Sequence, residues 1–272
     1  MPHLRHQSFF KDRPDTFFNL SPNRPFGRAL QRPSRAALLL TALLLLLPVA
    51  SHAQRRRRPP AGGSVAVVVD ERLAALRDAP QFSANLLQRL GRGRFVSVRG
   101  ERASRDGVTF LRVAVTSRTD GWLQADAVVR PARAGDDARL LRLLRGSEGF
   151  DRVARARLFL EAFPRSALRP AVLLLLGDAA EEAAARLTRE ARRRLEVAET
   201  EAGGAPLKSY FLNFNGLDRY RRQGVVYNFD ATSKQFHYDG AAWREILRQH
   251  PRSPEASEAR GRLATLTSAA RD

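Results

Sequence analysis

Hydrophobic and polar positions divide the chain into three stretches of different period. Residues 36–53 carry no charge, and their centre, Leu38 to Leu47, is almost all leucine. From Ser64 to Val129 the apolar residues come in short runs: Val65-Ala66-Val67-Val68-Val69, Phe95-Val96-Ser97-Val98, Phe110 to Val115 and Trp122-Leu123. Gly91, Gly93, Gly100, Asp106-Gly107 and Asp120-Gly121 separate them. Short β-branched and aromatic runs between glycine punctuation predict a small all-β unit. In the third run Leu111, Val113 and Val115 share one face and Arg112 and Ala114 the other, so one side packs and one meets water. Asp106-Gly107 supplies the positive φ that a hairpin turn needs.

After Pro131 the period becomes helical. Asp136 caps a predicted helix through Arg145 that groups Leu140, Leu141 and Leu144. A second helix groups Val153, Ala156, Leu160 and Phe163 and stops at Pro164. The third, Leu168 to Leu176, is almost continuously apolar. Gly177 is expected to interrupt, with Asp178 and Glu181 forming a capping-box-like start for a helix striped by Ala180, Ala184, Leu187, Ala191 and Leu195. Gly203-Gly204 ends it. A weak repeat aligns Phe159 to Ser166 with Ile246 to Ser253, each an apolar pair followed by Pro-Arg-Ser. In the second copy Ser253 caps, Pro254 takes the first helical position, and Ala256, Ala259, Leu263 and Leu266 form the buried stripe. Between the copies, Lys208 to Tyr238 holds all four tyrosines with Phe211, Phe214, Phe229 and Phe236. This reads as an irregular crossover whose aromatics dock on neighbouring helices, with Trp243 as a receiver; the competing reading is an aromatic recognition surface.

Two resemblances organise these elements. Leu76-Arg77-Asp78-Ala79-Pro80, then Leu87 to Gly93 followed by Phe95 to Val98, then Asp120-Gly121-Trp122-Leu123, resembles the bacterial SH3-like (SH3b) pattern. That pattern runs from a V-R-x-x-P segment through a leucine-plus-glycine turn and a valine-rich strand to a closing G-W-[VI] strand. Ala75 stands where the family has asparagine, and Arg99 to Val108 lengthens the middle hairpin. The resemblance implies a small β-barrel and non-catalytic recognition of cell-wall peptides or protein partners. The Pro-Arg-Ser joints resemble those of envelope tetratricopeptide-like (TPR-like) proteins. Their spacing does not fit the regular repeat, so an irregular stack of hairpins is expected.

The fold class expected is therefore α+β and multidomain, an SH3-like β-barrel followed by an all-α TPR-like helical hairpin region. The boundaries are a signal peptide over 1–53, a basic linker over 54–63, the barrel over 64–130, helical hairpins over 131–202, the aromatic crossover over 203–237 and a C-terminal helical hairpin over 238–272. Pro131 to Gly135 reads as a flexible joint or a tight corner.

The apolar run follows Arg24, Arg28, Arg32 and Arg35 and leads to Ser51-His52-Ala53, so export with cleavage after Ala53 is expected, to the periplasm or outside the cell. Arg55 to Arg58 oppose translocation, and the alternative is an uncleaved anchor, the only case in which a membrane is a partner. There is no cysteine, hence no disulfide and no lipobox anchor. Seven of the 47 basic and two of the 28 acidic residues precede Gln54, which leaves 40 against 26, a net of +14. That excess favours anionic polymers. Yet all but Lys11, Lys208 and Lys234 are arginine, as a GC-rich coding sequence would produce by itself. Export removes most opportunity for nucleic acid, and no specific nucleic-acid partner is expected.

Candidate chemistry is sparse. Only His237 and His250 lie beyond the leader; His250 sits at a helix end, and His237 near Asp239 does not make a metal site. The chain lacks G-x-S-x-G, H-E-x-x-H and a phosphate-cradling glycine loop. Glu181 and Glu182 point to different sides of a helix and form no acid/base pair. No enzyme activity, cofactor or catalytic residue is expected. If the barrel has a ligand groove, Arg77, Trp122 and the exposed parts of the Arg99 to Val108 hairpin line it, although Trp122 is the large residue that a closing strand needs for its core. The sequence thus points to an exported binding or scaffold protein with peptidoglycan or an envelope protein as partner. The alternative is a regulator or accessory subunit of a cell-wall enzyme.

Overall fold

The computed structural model describes residues 62–202, 216–230 and 232–269. The expected leader and cleavage point, most of the expected basic linker, and Tyr210, Phe211 and Phe214 of the crossover lie outside the described residues. Arg56–Asp272 packs as one compact unit. Among the described residues no helix is long and apolar enough to cross a membrane.

Seven strands form one antiparallel sheet: β1 (Ser64–Val68), β2 (Ala75–Arg77), β3 (Leu86–Arg89), β4 (Phe95–Ala103), β5 (Thr109–Ala114), β6 (Asp120–Gln124) and β7 (Val128–Val129). Their order is β3-β2-β6-β5-β4-β1-β7. The expected barrel is therefore corrected to an open sheet, because its two end strands, β3 and β7, do not pair. β2 meets β6 through a single register pair, Arg77 with Trp122, and β7 ends after two residues, where the chain turns into a helix. Gly107 takes φ +76° in the β4–β5 turn, as Asp106-Gly107 foretells. Asp120-Gly121 is not a turn but the start of β6; the chain reverses over 115–119, where Val115 N donates to Thr119 O.

Alternation along β1 joins two cores. Ala66 and Val68 pack with Leu76, Val96, Leu111, Val113, Leu123 and Val128 inside the curved sheet. Val67, Val69 and Val129 face the other way, into the core of the helical part. Fully buried apolar strands of this kind are favoured by their β-branched residues. Pro131 to Gly135 is a tight corner rather than a loose joint: Arg133 N donates to Arg130 O, Asp136 N to Arg133 O, and Arg130 N to Asp136 Oδ2 at 2.6 Å. Asp136 thus braces the corner, while Gly135 occupies the cap position of the following helix.

The helical part contains α1 (Asp136–Arg145), α2 (Gly149–Ala162), α3 (Arg169–Ala202), α4 (Gly216–Arg221), α5 (Ala241–Gln249) and α6 (Glu255–Ala269), with a hairpin of β8 (Tyr227–Asp230) and β9 (Gln235–Tyr238). The interruption expected at Gly177 is absent, and α3 runs through it. A Cβ there would collide with the Trp243 indole, so this glycine is the notch that lets α5 approach α3. Asp178 and Glu181 form no capping box. Asp178 instead binds Arg262 of α6 at 3.0 Å, and Glu181 serves the hairpin.

The crossover expected to be irregular is partly a β-hairpin. Its outer edge is satisfied by α3 side chains two helical turns apart: Phe236 N donates to Thr188 Oγ1 at 2.9 Å and Tyr238 N to Glu181 Oε2 at 2.7 Å. Tyr220, Tyr227, Phe236 and Tyr238 are buried, and Tyr238 meets Trp243 edge to face at 5.5 Å. These aromatics are core, as the docking reading expected.

The two Pro-Arg-Ser joints share their backbone bonding. Phe163 N donates to Phe159 O, Ser166 N to Phe163 O and Arg169 N to Ser166 O; His250, Ser253 and Ala256 repeat the same three bonds to Ile246, His250 and Ser253. The side chains differ, for Ser166 Oγ accepts from Leu168 N while the Ser253 hydroxyl, expected as a cap, is buried without a partner.

Candidate functional site

The side of the sheet turned away from its own core carries the candidate site. In β6 Leu123 points inward, so Trp122 points out; in β5 Leu111 and Val113 point inward, so Arg112 points out; in β2 Leu76 is buried and Arg77 faces out. Register then aligns them. Trp122 lies opposite Arg77 on one side and opposite Arg112 on the other, a row across three strands. Gly100 of β4 continues the row beyond Arg112 without a side chain. Arg102, one step along β4, places its guanidinium carbon 5.8 Å from the Trp122 ring centroid, within cation–π range.

Trp122 is half-buried and lies outside both cores. The expectation that it fills the core is corrected, because Leu123 takes that place. Close approach of β2 to β6 sets the row, and it depends on Gly121. A Cβ at that position would sit 2.6 Å from Arg77 O and 3.0 Å from Leu76 Cγ. Arg77 is held by a 2.7 Å bond from Nη1 to Ala84 O, which ties the β2–β3 loop to the row. From that loop Phe82 meets Phe110 edge to face at 5.6 Å and caps the outward ring of β5.

Charge on this face is only partly neutralised. Arg112 pairs with Asp120 at 3.1 Å, and Glu101 pairs with Arg130 at 3.2 Å. Among the described residues Arg77 and Arg102 have no ion-pair partner; the Arg102 guanidinium lies over the Trp122 ring, while that of Arg77 donates to Ala84 O. A planar cation over an indole suits a carboxylate attached to a flat or apolar body.

The helical part covers the rest of the same face. Val67 lies opposite Phe95, and Phe95, Ser97, Ala114 and Arg112 follow one another on that face through the β4–β5 pairing. Helices cover it at Val67, Val129 and Phe95; beyond them Phe110 and Ala114 are buried, Arg112 is exposed, and Trp122 and Arg77 are half-buried. A polar joint locks this arrangement: Arg92 reaches Asp151 of α2 at 3.0 Å and Glu71 at 3.8 Å, while Arg155 Nη1 donates to Ser147 Oγ at 2.5 Å. The bond from Arg92 holds the Asp151 carboxyl below the usual carboxylate range, and Arg72 does the same to Asp70. Burial, then the charge of Arg92, pulls the Arg155 guanidinium down from its ordinary value.

Both residues named from sequence, Arg77 and Trp122, therefore stand side by side on an open face. Arg102 belongs to the hairpin singled out as a possible lining. Arg112 was legible as the solvent side of its strand but not as part of a site, and Phe82 gave no signal, because only the fold of its loop brings it to Phe110. The histidines lie elsewhere: His237 Nδ1 is 3.2 Å from Glu181 Oε1, and Asp239 Oδ1 accepts from Ala241 N at the start of α5. Among the described residues no three His, Cys, Asp or Glu side chains gather as metal ligands.

Comparison with protein-family models, with curated proteins and with solved structures returns no match.

Proposed function

We propose that the protein is an exported, non-catalytic binding or scaffold protein whose recognition surface is the open face of its sheet. The observation that carries this reading is the in-register row of Arg77, Trp122 and Arg112 with Arg102 against the indole. Cation–π stacking holds Arg102 and Trp122 in place before a ligand arrives, which lowers the entropy cost of binding. The ligand class that suits the row bears a carboxylate and an apolar or planar group, as a cell-wall peptide or an acidic segment of an envelope protein does. The sequence pattern around Leu76-Arg77, Leu87 to Gly93 and Gly121-Trp122 supports an SH3-like ancestry for the module, in an open form. The matching backbone bonds of the two Pro-Arg-Ser joints support a TPR-like origin for the helices, whose role is to present a second surface to a protein partner. The apolar leader of residues 36–53 supports export.

The experiment is retention of Arg56–Asp272 on isolated peptidoglycan and on an immobilised envelope extract, at low salt and at about 1 M salt, where exposed charges are screened beyond roughly 3 Å. Retention that survives salt and is lost in Trp122→Ala supports the reading. Retention equal in wild type and variant, or confined to low salt, contradicts it.

A further inference from the structure

We propose that the free edge of the sheet, strand β3, takes up an extended acidic segment of a partner protein by strand addition. The inference rests on reading the neighbouring Arg–Trp face as a recognition surface, and it names how a partner would lie against it.

β3 pairs with β2 alone, and all four of its residues are exposed. Leu90 N donates to Ala74 O. By the alternation of an antiparallel ladder, the amide of Arg89 then turns away from β2. Unpaired amides and carbonyls on a sheet edge are a template for one more strand. The opposite edge offers nothing similar, since β7 is two residues long and runs into the corner before α1.

Apolar surface marks the same edge. Five large hydrophobic residues are exposed among those described, and Leu86 and Leu87 of β3 are two of them, at 48% and 50%. Charge selects the occupant. Arg77 and Arg89 have no carboxylate partner among the described residues, and the adjacent Asp78 is occupied, accepting from Asn85 N at 3.0 Å and from Asn85 Nδ2 at 2.8 Å. A second copy of this chain would bring the same uncompensated arginines to its own edge, so self-pairing is opposed. Register places Leu86 on the face of Arg77, and Leu87 lies beside Leu76 on the other; a strand with carboxylates on the first face and apolar groups on the second meets the arginines and Leu87. The register shift between Leu76 and Arg77 limits the regular stretch, so the added strand is short, about four residues.

The test uses Arg56–Asp272 and a fluorescent peptide of roughly eight alternating Glu and Val residues, with a Lys-Val peptide of the same length as control. Binding of the Glu peptide alone is expected, with hydrogen exchange at the Arg89 amide slowed at least about ten-fold at saturation. Arg89→Ala removes charge and is expected to weaken binding a few-fold. Arg89→Pro also removes the outward donor without touching the β2–β3 ladder, and is expected to weaken binding about ten-fold more. Equal binding of the Lys peptide, an unslowed Arg89 amide, or equal effects of Ala and Pro would overturn the proposal. So would protection of that amide in a peptide-free dimer, which would make the occupant a second copy. Exchange is read on the wild-type protein, so a misfolded proline variant does not block the answer. The face reading fails separately, through retention that Trp122→Ala leaves unchanged.

Discussion

Arg102 and Trp122 form a stacked pair on the open face of the sheet, 5.8 Å from guanidinium carbon to ring centroid, whereas Trp243, the only other tryptophan, is 1% exposed. The two indoles should therefore report different environments. In Trp243→Phe the remaining emission is expected to be red-shifted and readily quenched by acrylamide; in Trp122→Phe it is expected to be blue-shifted and protected. Arg102→Ala should change the first signal and leave the second alone. Similar quenching of both indoles would contradict the outward placement of Trp122.

Gly177→Ala tests the notch in α3. Helix propensity alone favours alanine by about 1 kcal/mol. Overlap of the new methyl with Trp243 costs about 1–3 kcal/mol. Net destabilisation is expected in urea unfolding, relieved when Trp243 is reduced to Leu in the same chain. A stabilised Gly177→Ala would show that Trp243 does not pack there.

Gly121→Ala should likewise destabilise, by about 1–3 kcal/mol, because the methyl meets the backbone carbonyl of Arg77 rather than a movable side chain. It should also weaken ligand retention, since β2 must move away from β6 and take Arg77 with it. Unchanged thermal midpoint and retention would refute the close approach.

Glu181→Ala leaves the Tyr238 amide without its partner, and Thr188→Val does the same to Phe236. Each orphaned buried donor costs about 1–3 kcal/mol. Amide exchange should accelerate in β9 before it does in the large sheet, because these bonds tie β9 to α3. Uniform acceleration throughout the protein would speak against this docking.

Acid should weaken two ion pairs, Asp70 with Arg72 within the sheet part and Asp151 with Arg92 between sheet and helices. Asp70 and Asp151 have folded-state pKa values below their ordinary ones, so each contributes stability that is present above the ordinary carboxylate value and lost as pH falls through the depressed one. Asp151 is half-exposed, so its pair with Arg92 is worth at most about 1 kcal/mol. The unfolding midpoint is expected to fall below about pH 4, with a shallower acid limb in Asp151→Asn. An identical acid limb in that variant would remove Asp151 from the account.

How much of this could be read beforehand differs by element. The strands and the stripes Leu140-Leu141-Leu144 and Val153-Ala156-Leu160 were legible because period reports a buried face directly. Gly177-Asp178 misled, since a glycine before Asp-x-x-Glu is locally a helix boundary and only the distant Trp243 makes it a packing notch. Trp122 was legible both as groove lining and as core filler, because its inward or outward direction depends on register with β2 and β5. The hairpin hid in plain alternation, Tyr227 with Phe229 and Phe236 with Tyr238, under the aromatic density of its segment. Closure of the barrel depended on whether the end strands meet, a long-range fact that strand patterns do not carry.

The most direct test of the central claim is salt-resistant retention on peptidoglycan and on envelope extract, compared between wild-type Arg56–Asp272 and the double variant Trp122→Ala, Arg102→Ala. Loss of retention at least about ten-fold in a variant that remains folded is the predicted result; Trp122 is half-buried, so its removal is expected to lower the unfolding midpoint somewhat, but it lies outside both cores. Equal retention by the two proteins, with the variant folded, would contradict recognition by this face.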